Sequence, residues 1–349
     1  MTDAAQKKRS TIYDVANETN LSIATVSRII NRKGSYSKRS AKTVMDAVKK
    51  LGYIHGSGSA THVSDSRTIG MYLPKETAGF EYTSYYGQFM LGASEEAISS
   101  GYDILICRNR DEEPDGRVIH FDPERFSALV VPYFPDSIVL EVEEMIKDGL
   151  PVAYAGHQLP GDTYGNNIYG GYIHCRREVL DLLYSLNYRN IVAFEMFRQS
   201  RNLSLIEDFR KLLENFRIEK GLSEDECRMA IYDRSVTDHF QILLQSILDS
   251  PNRPEVLFTD SAEAAVSAYN IIQNAGLNIP GDIGIISGSH SERSGEEFLP
   301  ALTTVCVNAR EMGRRSVRLL IGRVAGEGDE IERNVPYTIH IRDSLFKFY

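Results

Sequence analysis

Residues 11–31 read TIYDVANETNLSIATVSRIIN, and this stretch decides the fold of the N-terminal part of the chain. Thr11 can cap a first helix, residues 20–22 interrupt the helical pattern, and Ser22 can cap a second helix. A third helix beginning near Ser37 places apolar side chains at helical spacing, at Val44, Ala47, Val48 and Leu51. Two short helices joined by a tight turn and closed by a third are typical of a helix-turn-helix domain.

The second of these helices has two different faces. At 100° per residue, Val26, Ile29 and Ile30 share one side. Small and hydrogen-bonding residues share the other side, namely Ala24, Ser27, Arg28 and Asn31. Small side chains let a helix lie deep in the major groove of DNA, where a guanidinium such as that of Arg28 can donate to both O6 and N7 of guanine. Helical periodicity alone leaves open a generic three-helix domain in which Arg28 is only solvated.

Charge is unevenly distributed over the 349 residues. The chain has a net charge of −9, but residues 1–62 contain eleven basic and four acidic residues, a net charge of +7, so the remainder carries −16. A small basic domain on a large acidic body suggests that the basic domain meets a polyanion. A solvated run of basic residues is the alternative that charge alone leaves open.

Several classes of protein are disfavoured by what the sequence lacks. The four cysteines are isolated, which argues against a disulfide scaffold and suits a reducing cytosol. No apolar run approaches the ~18–20 residues of a membrane span, and the N-terminus has no signal-peptide pattern. There is no GxxxxGK[ST] loop, HExxH or GxSxG motif, and the histidines lack zinc-ligand spacing. We therefore expect a cytoplasmic protein that is not an enzyme and has no cofactor, metal site or membrane contact.

From Thr68 onward, β-rich runs alternate with amphipathic helical patterns. The expected strands are 68–73, 103–107, 128–133, 151–155, 190–194, 227–232, 255–259, 283–287 and 303–307. This alternation indicates parallel sheets with helices on both faces. Because about 280 residues are many for one domain, two linked α/β lobes are expected, with a ligand cleft at the carboxyl ends of the strands.

Residues 11–54 resemble, without a gap, the DNA-binding head of the LacI/GalR family of bacterial transcription regulators. The resemblance implies that Ile23, Ala24 and Arg28 read bases. It also implies that phosphate and positioning contacts come from Thr11, Tyr13, Thr25, Ser27 and Asn31. Ile12 and Ser22 are further candidate DNA-binding residues. Residues 276–326 and, more loosely, most of the body resemble the same family, whose body has the doubly wound, two-lobed fold of periplasmic sugar-binding proteins.

The resemblance also implies domain limits. The head would span residues 1–54, a linker 55–67, and the body 68–349. Within the body the chain would cross between lobes near residues 165, 291 and 325. The N-lobe would then be 68–164 plus 292–324, and the C-lobe 165–291 plus 325–349.

The linker departs from the family pattern. After Leu-Gly-Tyr, members usually continue with Pro-Asn and an Ala-Arg-x-Leu stretch that forms a hinge helix on DNA and wedges its Leu into the minor groove. Here residues 55–63 read HGSGSATHV. Two glycines cost a helix roughly 1 kcal/mol each relative to alanine. His62 and Val63 are the nearest candidates for a wedge, and a flexible linker is the favoured interpretation.

The effector positions of the sugar-binding members also differ. Leu205 stands where those members carry an Arg, four residues before the aromatic Phe209. Asp260-Ser261 replaces an Asn-Asp pair, and Gly288-Ser289-His290 replaces a Gly-aromatic-Asp-Asp run. We expect a changed effector or none.

Candidate effector contacts are aromatic and polar residues near strand ends, namely Tyr85, Tyr86, Tyr133, Arg198, Arg201, Asp260 and His290. Aromatic faces with arginines would suit a sugar, a sugar phosphate or a nucleoside. The alternative for each tyrosine is packing or a dimer surface.

The resemblance implies a transcriptional regulator, in the usual case a repressor, that binds a palindromic double-stranded DNA operator as a homodimer and responds to a small-molecule effector between the lobes. The sequence leaves open whether the protein forms a tetramer and whether it represses or activates transcription. The alternative is a ligand-sensor protein with an atypical effector response or none.

We predict that changing Gly56 and Gly58 to Ala and His62 to Leu tightens operator binding and increases DNA bending. A helix would then form more readily and carry a Leu wedge, whose unstacking cost of a few kcal/mol is recovered by contacts on bent DNA. A phase-dependent gel-bending assay measures the bend. A sharp kink at the operator centre with the unchanged chain would contradict the flexible-linker interpretation.

Overall fold

A computed structural model describes residues 12–30, 37–51, 66–73, 80–108, 125–132, 139–147, 149–156, 166–197, 202–233, 235–326 and 331–345. The head contains three helices: α1 (Ile12–Thr19), α2 (Ile23–Ile30) and α3 (Lys38–Leu51). Asn20 adopts a left-handed conformation (φ 53°) that ends α1, and the Thr25 amide donates to Ser22 Oγ at 3.2 Å at the start of α2. The predicted helix-turn-helix arrangement is confirmed.

One small apolar core holds the head together. Its buried residues are Val15, Ala16, Val26, Ile29, Val44 and Ala47. Val26 and Ile29 come from the face of the second helix that the sequence pattern assigns to the interior. The opposite face of α2 is therefore left for contacts outside the head.

The body consists of two six-stranded sheets. The first lobe contains the sheet ordered β11-β5-β4-β3-β1-β2, and the second contains the sheet ordered β12-β10-β9-β8-β6-β7. The strands are β1 (Thr68–Leu73), β2 (Asp103–Arg108), β3 (Ala128–Val131), β4 (Val152–Ala155), β5 (Asn167–Gly170), β6 (Ile191–Phe197), β7 (Cys227–Asp233), β8 (Val256–Thr259), β9 (Gly284–Ser289), β10 (Thr303–Val307), β11 (Asn334–Val335) and β12 (Tyr337–His340). All described pairs are parallel except β10 with β12.

Helices cover both faces of each sheet. They are α4 (Phe80–Ser99), α5 (Val139–Lys147), α6 (Tyr172–Ser185), α7 (Asn202–Lys220), α8 (His239–Leu248), α9 (Ala262–Asn274) and α10 (Ala309–Ala325). In the first lobe α4 and α10 pack on one face and α5 on the other; in the second, α6 and α7 oppose α8 and α9. The predicted doubly wound α/β body of two lobes is confirmed, as are all nine expected strands, with small changes at their ends.

The chain crosses between lobes at other places than those predicted. β5 pairs with β4, so the first crossing lies at residue 171 rather than near 165. β10 pairs with β9 in the second sheet, whereas α10 packs on α4, so the second crossing lies at Asn308 rather than near 291. β11 pairs with β5, and the third crossing lies at Pro336 rather than near 325. The predicted lobe limits were wrong because strand pairing, which local patterns do not encode, assigns β5, β10 and β11.

Helices α4 and α10 of the first lobe cross with their backbones in contact. A side chain on Gly92 would overlap the Arg310 carbonyl oxygen, and one on Gly313 would overlap that of Phe89 and lie 2.9 Å from the Ala93 nitrogen. Arginines of α10 clamp the same crossing from outside, since Arg318 donates to both oxygens of Glu96 at 2.8 Å. The two glycines therefore set the distance between these helices.

We predict that Gly313→Ala destabilises the protein by about 1–3 kcal/mol, because the added methyl group forces two packed backbones apart. The matched control is Gly87→Ala on α4, where an added Cβ has no neighbour within 4 Å. That change should stabilise by about 0.5–1 kcal/mol through helix propensity alone. Urea unfolding measures both, and equal effects of the two changes would contradict the close-contact interpretation.

Candidate nucleic-acid interface and inter-lobe cleft

The start of helix α2 presents large side chains to solvent. Tyr13 on α1 is 63% exposed and Ile23, the first residue of α2, is 41% exposed. Ser22 and Thr25 hold this turn together, since their hydroxyl groups lie 2.8 Å apart. Ile23 is not among the described core residues of the head, so its exposed apolar surface is available for contact with another molecule.

The structure describes some of the predicted DNA-contact residues and not others. Ala24, Ser27 and Arg28 lie within α2, and Ile12 begins α1. Thr11, Asn31, His62 and Val63 lie outside the described residues. The structure therefore gives the places of some of these residues on α1 and α2, and the contacts themselves stay predictions.

The third helix contributes exposed positive charge. Arg39 and Lys42 are exposed on α3. Lys50 of the same helix instead contacts Glu18 at 2.7 Å, which ties α3 to α1. Exposed cations on a head with a +7 charge favour an attractive interaction with phosphates.

The cleft between the lobes is bridged by two of the predicted effector residues. The rings of Tyr85, on α4 of the first lobe, and His290, after β9 of the second, lie 5.0 Å apart edge to face. The Tyr85 hydroxyl donates to the Pro132 carbonyl at 2.7 Å. Tyr86 packs edge to face on Tyr85 at 5.4 Å and is buried. The structure therefore brings Tyr85, Tyr86 and His290 together, and their role as effector contacts stays a prediction.

Asp260 lies at the end of β8 and joins three strand ends. Its Oδ1 accepts from the Tyr232 hydroxyl at 2.9 Å, and its Oδ2 accepts from the Met196 amide at 3.1 Å. Met196 belongs to β6 and Tyr232 to β7. Both carboxylate oxygens thus hold the chain itself, which makes Asp260 a structural anchor of the cleft wall.

Two families match this chain by sequence. "Bacterial regulatory proteins, lacI family" matches residues 11–55, and "Periplasmic binding protein-like domain" matches residues 180–345. The catabolite control protein A of Priestia megaterium is 24% identical over 346 residues, covering 96% of this chain and 98% of that protein. The chain belongs to the lacI family of bacterial regulatory proteins. It is a DNA-binding transcriptional regulator, and its head is the DNA-binding domain of that family.

Two solved structures share the fold of this lacI-family regulator. One is a complex of the transcriptional regulator CelR with cellobiose, and the other is a Lac repressor dimer bound to operator and the anti-inducer ONPF. Each has a TM-score of 0.64 and 18% sequence identity, and they cover 96% and 97% of this chain. All of each solved chain is matched, head and body included.

Tyr133, Arg198 and Arg201 lie outside the described residues. Phe209 is fully buried in the core of the second lobe, so its ring is a packing residue there. Leu205 is half-buried, one turn before it.

A cavity of about 190 Å³ lies beside Asp260 at the ends of β6 and β7. Tyr232, Asp233 and His239 line it. Hydrogen bonds from Ser235 hold the pKa of Asp233 below its usual value. Tyr232 was not among the predicted site residues, although a tyrosine at the end of an expected strand was the signal that could have found it.

In the described part of the regulator, no helix has the length and apolar character needed to cross a bilayer. The same residues hold no group of three or more His, Cys, Asp or Glu side chains placed to bind a metal ion.

We predict that Asp260→Ala destabilises the regulator by about 1–3 kcal/mol, because the Met196 amide and the Tyr232 hydroxyl lose the acceptor that joins three strands. Tyr232→Phe removes one of the two bonds and should cost less. Asp208→Ala on the exposed face of α7 is the control and should stay within about 0.5 kcal/mol of the unchanged chain. Urea unfolding compares the three, and an Asp260 variant that behaves like the Asp208 control would refute the anchoring role.

Proposed function

We propose that this chain is a transcriptional repressor that binds a palindromic DNA operator as a homodimer and responds to a small molecule between its lobes. The observation that carries the proposal is the head: a capped second helix with one face in the core and Ile23 exposed at its start, beside an exposed Tyr13 on α1. A helix of this form, on a domain of charge +7, fits the major groove. Whether such a protein represses or activates a gene depends on where its operator lies relative to the promoter, and not on the protein itself.

Exposed apolar residues support a homodimer. In the first lobe, Leu91 and Ile98 lie seven residues apart on α4 and therefore share a face, and Ile106 is exposed on the edge strand β2. In the second lobe, Ile242 on α8 and Val266 on α9 are exposed as well. Pairing such surfaces would place two heads at two half-sites, as in a two-fold operator. The Lac repressor, which shares this fold, is described as a dimer bound to operator.

Effector binding is the second part of the proposal. CelR, with the same fold, is described in complex with cellobiose. In this chain the Asp260 carboxylate and the Tyr85 hydroxyl are bonded to the chain itself, which supports an effector that uses other groups than those of the sugar-binding members. Sugars, sugar phosphates and nucleosides stay open as classes, and so does the absence of an effector. A thermal-shift panel of the three classes separates these alternatives, since a bound ligand raises the unfolding midpoint.

We further propose that the chain has no catalytic activity and works in the cytoplasm. Curated relatives that match nearly the whole chain are regulators rather than enzymes, as for catabolite control protein A. A bacterial protein that binds an operator must reach the chromosome, which lies in the cytoplasm.

We predict that Arg28→Ala relaxes base preference at one guanine per half-site and weakens binding there by about 1–3 kcal/mol per contact. Sites selected from a random DNA library with the unchanged and the changed protein give the comparison. Arg39→Ala, an exposed arginine on α3, is the matched control. That control should weaken binding uniformly without changing the consensus, because a phosphate contact reads no sequence. Recovery of the unchanged consensus with the Arg28 variant would refute its base-reading role.

A further inference from the structure

A charged cluster is buried at the start of helix α6 in the second lobe. Arg176 is 6% exposed and Glu195, on β6, is 3% exposed. The guanidinium donates to Glu195 Oε1 through both Nε, at 2.9 Å, and Nη2. The other oxygen, Oε2, accepts from the Tyr172 hydroxyl at 2.8 Å. One carboxylate therefore holds two residues from the first turns of α6.

Aromatic rings enclose the guanidinium of Arg176. Its central carbon lies 3.5 Å from the centre of the Tyr172 ring and 4.9 Å from that of Phe209. Phe258 lies slightly farther away, at 5.7 Å. Burial alone would lower the pKa of Arg176, but the Glu195 carboxylate raises it above its usual value. Burial raises the pKa of Tyr172 well above its usual value, so this hydroxyl stays a donor.

Stability alone does not explain this cluster. Apolar residues of similar volume often replace a buried ion pair without loss of stability, because both charges must be desolvated. The surroundings of Arg176 are already apolar and aromatic, and would accept such a replacement. We therefore expect the cluster to have a role other than stabilisation, and its position in the chain indicates that role.

The cluster lies directly after the first crossing between the lobes. β5 ends at Gly170, and Tyr172 is the first residue of α6. A Cβ on Gly170 would lie 2.5 Å from Val307, next to the second crossing, and a Cβ on Gly171 would lie 3.2 Å from Tyr337, next to the third. The second and third crossings therefore pack against these two glycines of the first crossing, which leaves little space for a larger side chain at either position. A shift in the start of α6 would be passed to all three.

We propose that Glu195 is a positioning residue which, through Tyr172 and Arg176, fixes the second-lobe end of the first crossing and thereby the arrangement of the two lobes. Tyr172 and Arg176 lie four residues apart on one face of α6, so a single carboxylate sets both the position and the rotation of the helix start. The consequence for DNA affinity rests on the function proposed above, because it requires heads that respond to lobe arrangement.

The test separates positioning from stability. The triple variant Tyr172→Phe, Arg176→Met and Glu195→Leu replaces the hydroxyl, the guanidinium and the carboxylate of the cluster by apolar groups. Tyr172→Phe alone removes one bond and keeps the ion pair. The matched control is Arg177→Met with Asp181→Leu, an ion pair at 2.8 Å on the more exposed side of the same helix.

The readout is the distance between spin labels on the two lobes. Glu144→Cys on α5 and Asn215→Cys on α7, both exposed, carry the labels in a Cys107→Ser background. Dilution with unlabelled chain restricts the measurement to distances within one subunit. Two further measurements are made on each variant. They are urea unfolding and the affinity for a DNA site that was selected with the unchanged protein.

We expect the triple variant to unfold at the same urea concentration as the unchanged chain or a higher one. Its inter-lobe distance distribution should broaden or shift, and its DNA affinity should change by about 2- to 30-fold. Tyr172→Phe should show a smaller change in the same direction, and the Arg177 control none. An unchanged distance distribution in the folded triple variant would overturn the proposal. If the triple variant does not fold, an unchanged distribution for Tyr172→Phe overturns it. A parent protein that binds no DNA would refute the proposed function, and the distance measurement would still decide the positioning role.

Discussion

The packing of the second and third chain crossings against Gly170 and Gly171 of the first is the constraint on which the body depends. Each lobe is assembled from separated parts of the sequence, because α10 follows the second-lobe strand β10 but packs in the first lobe. Each lobe contains elements that the chain reaches only after it has returned from the other lobe. Small side chains at the crossing point let the three segments approach one another, and this closeness makes the relation between the lobes sensitive to small changes.

Charge divides the protein into two functional parts. A head of net charge +7 is attached to a body of −16, so the body is repelled by the same polyanion that attracts the head. Within the body, many described charges are paired inside the chain, as between Arg318 and Glu96 across α4 and α10. The exposed cations Arg39 and Lys42 of the head remain for phosphates, which favours DNA contact through the head alone.

Two polar side chains that the sequence predicts as effector contacts hold the cleft wall together. The Asp260 carboxylate accepts the hydrogen bonds that join three strand ends. The Tyr85 hydroxyl donates to the backbone of the first lobe, and the Tyr85 ring packs against the His290 ring of the second lobe. Polar groups that serve the chain in this way are less available to a ligand, since each bond to a ligand must replace one that already exists. These bonds support the proposal that an effector of this protein uses other groups than those of the sugar-binding members.

The sequence by itself determined the elements whose signals are local. The head helices follow from the cap at Ser22 and the apolar spacing that buries Val26 and Ile29, and the nine expected strands follow from short apolar runs. The strands β5, β11 and β12 were not expected, because they are short and gain their stability from pairing across crossings rather than from their own pattern. Only the tertiary structure decided which sheet receives β10, and only it joined Arg176 to Glu195, nineteen residues away on another element. Strand pairing and burial of charge depend on contacts between distant residues, and a local pattern carries no information about such contacts.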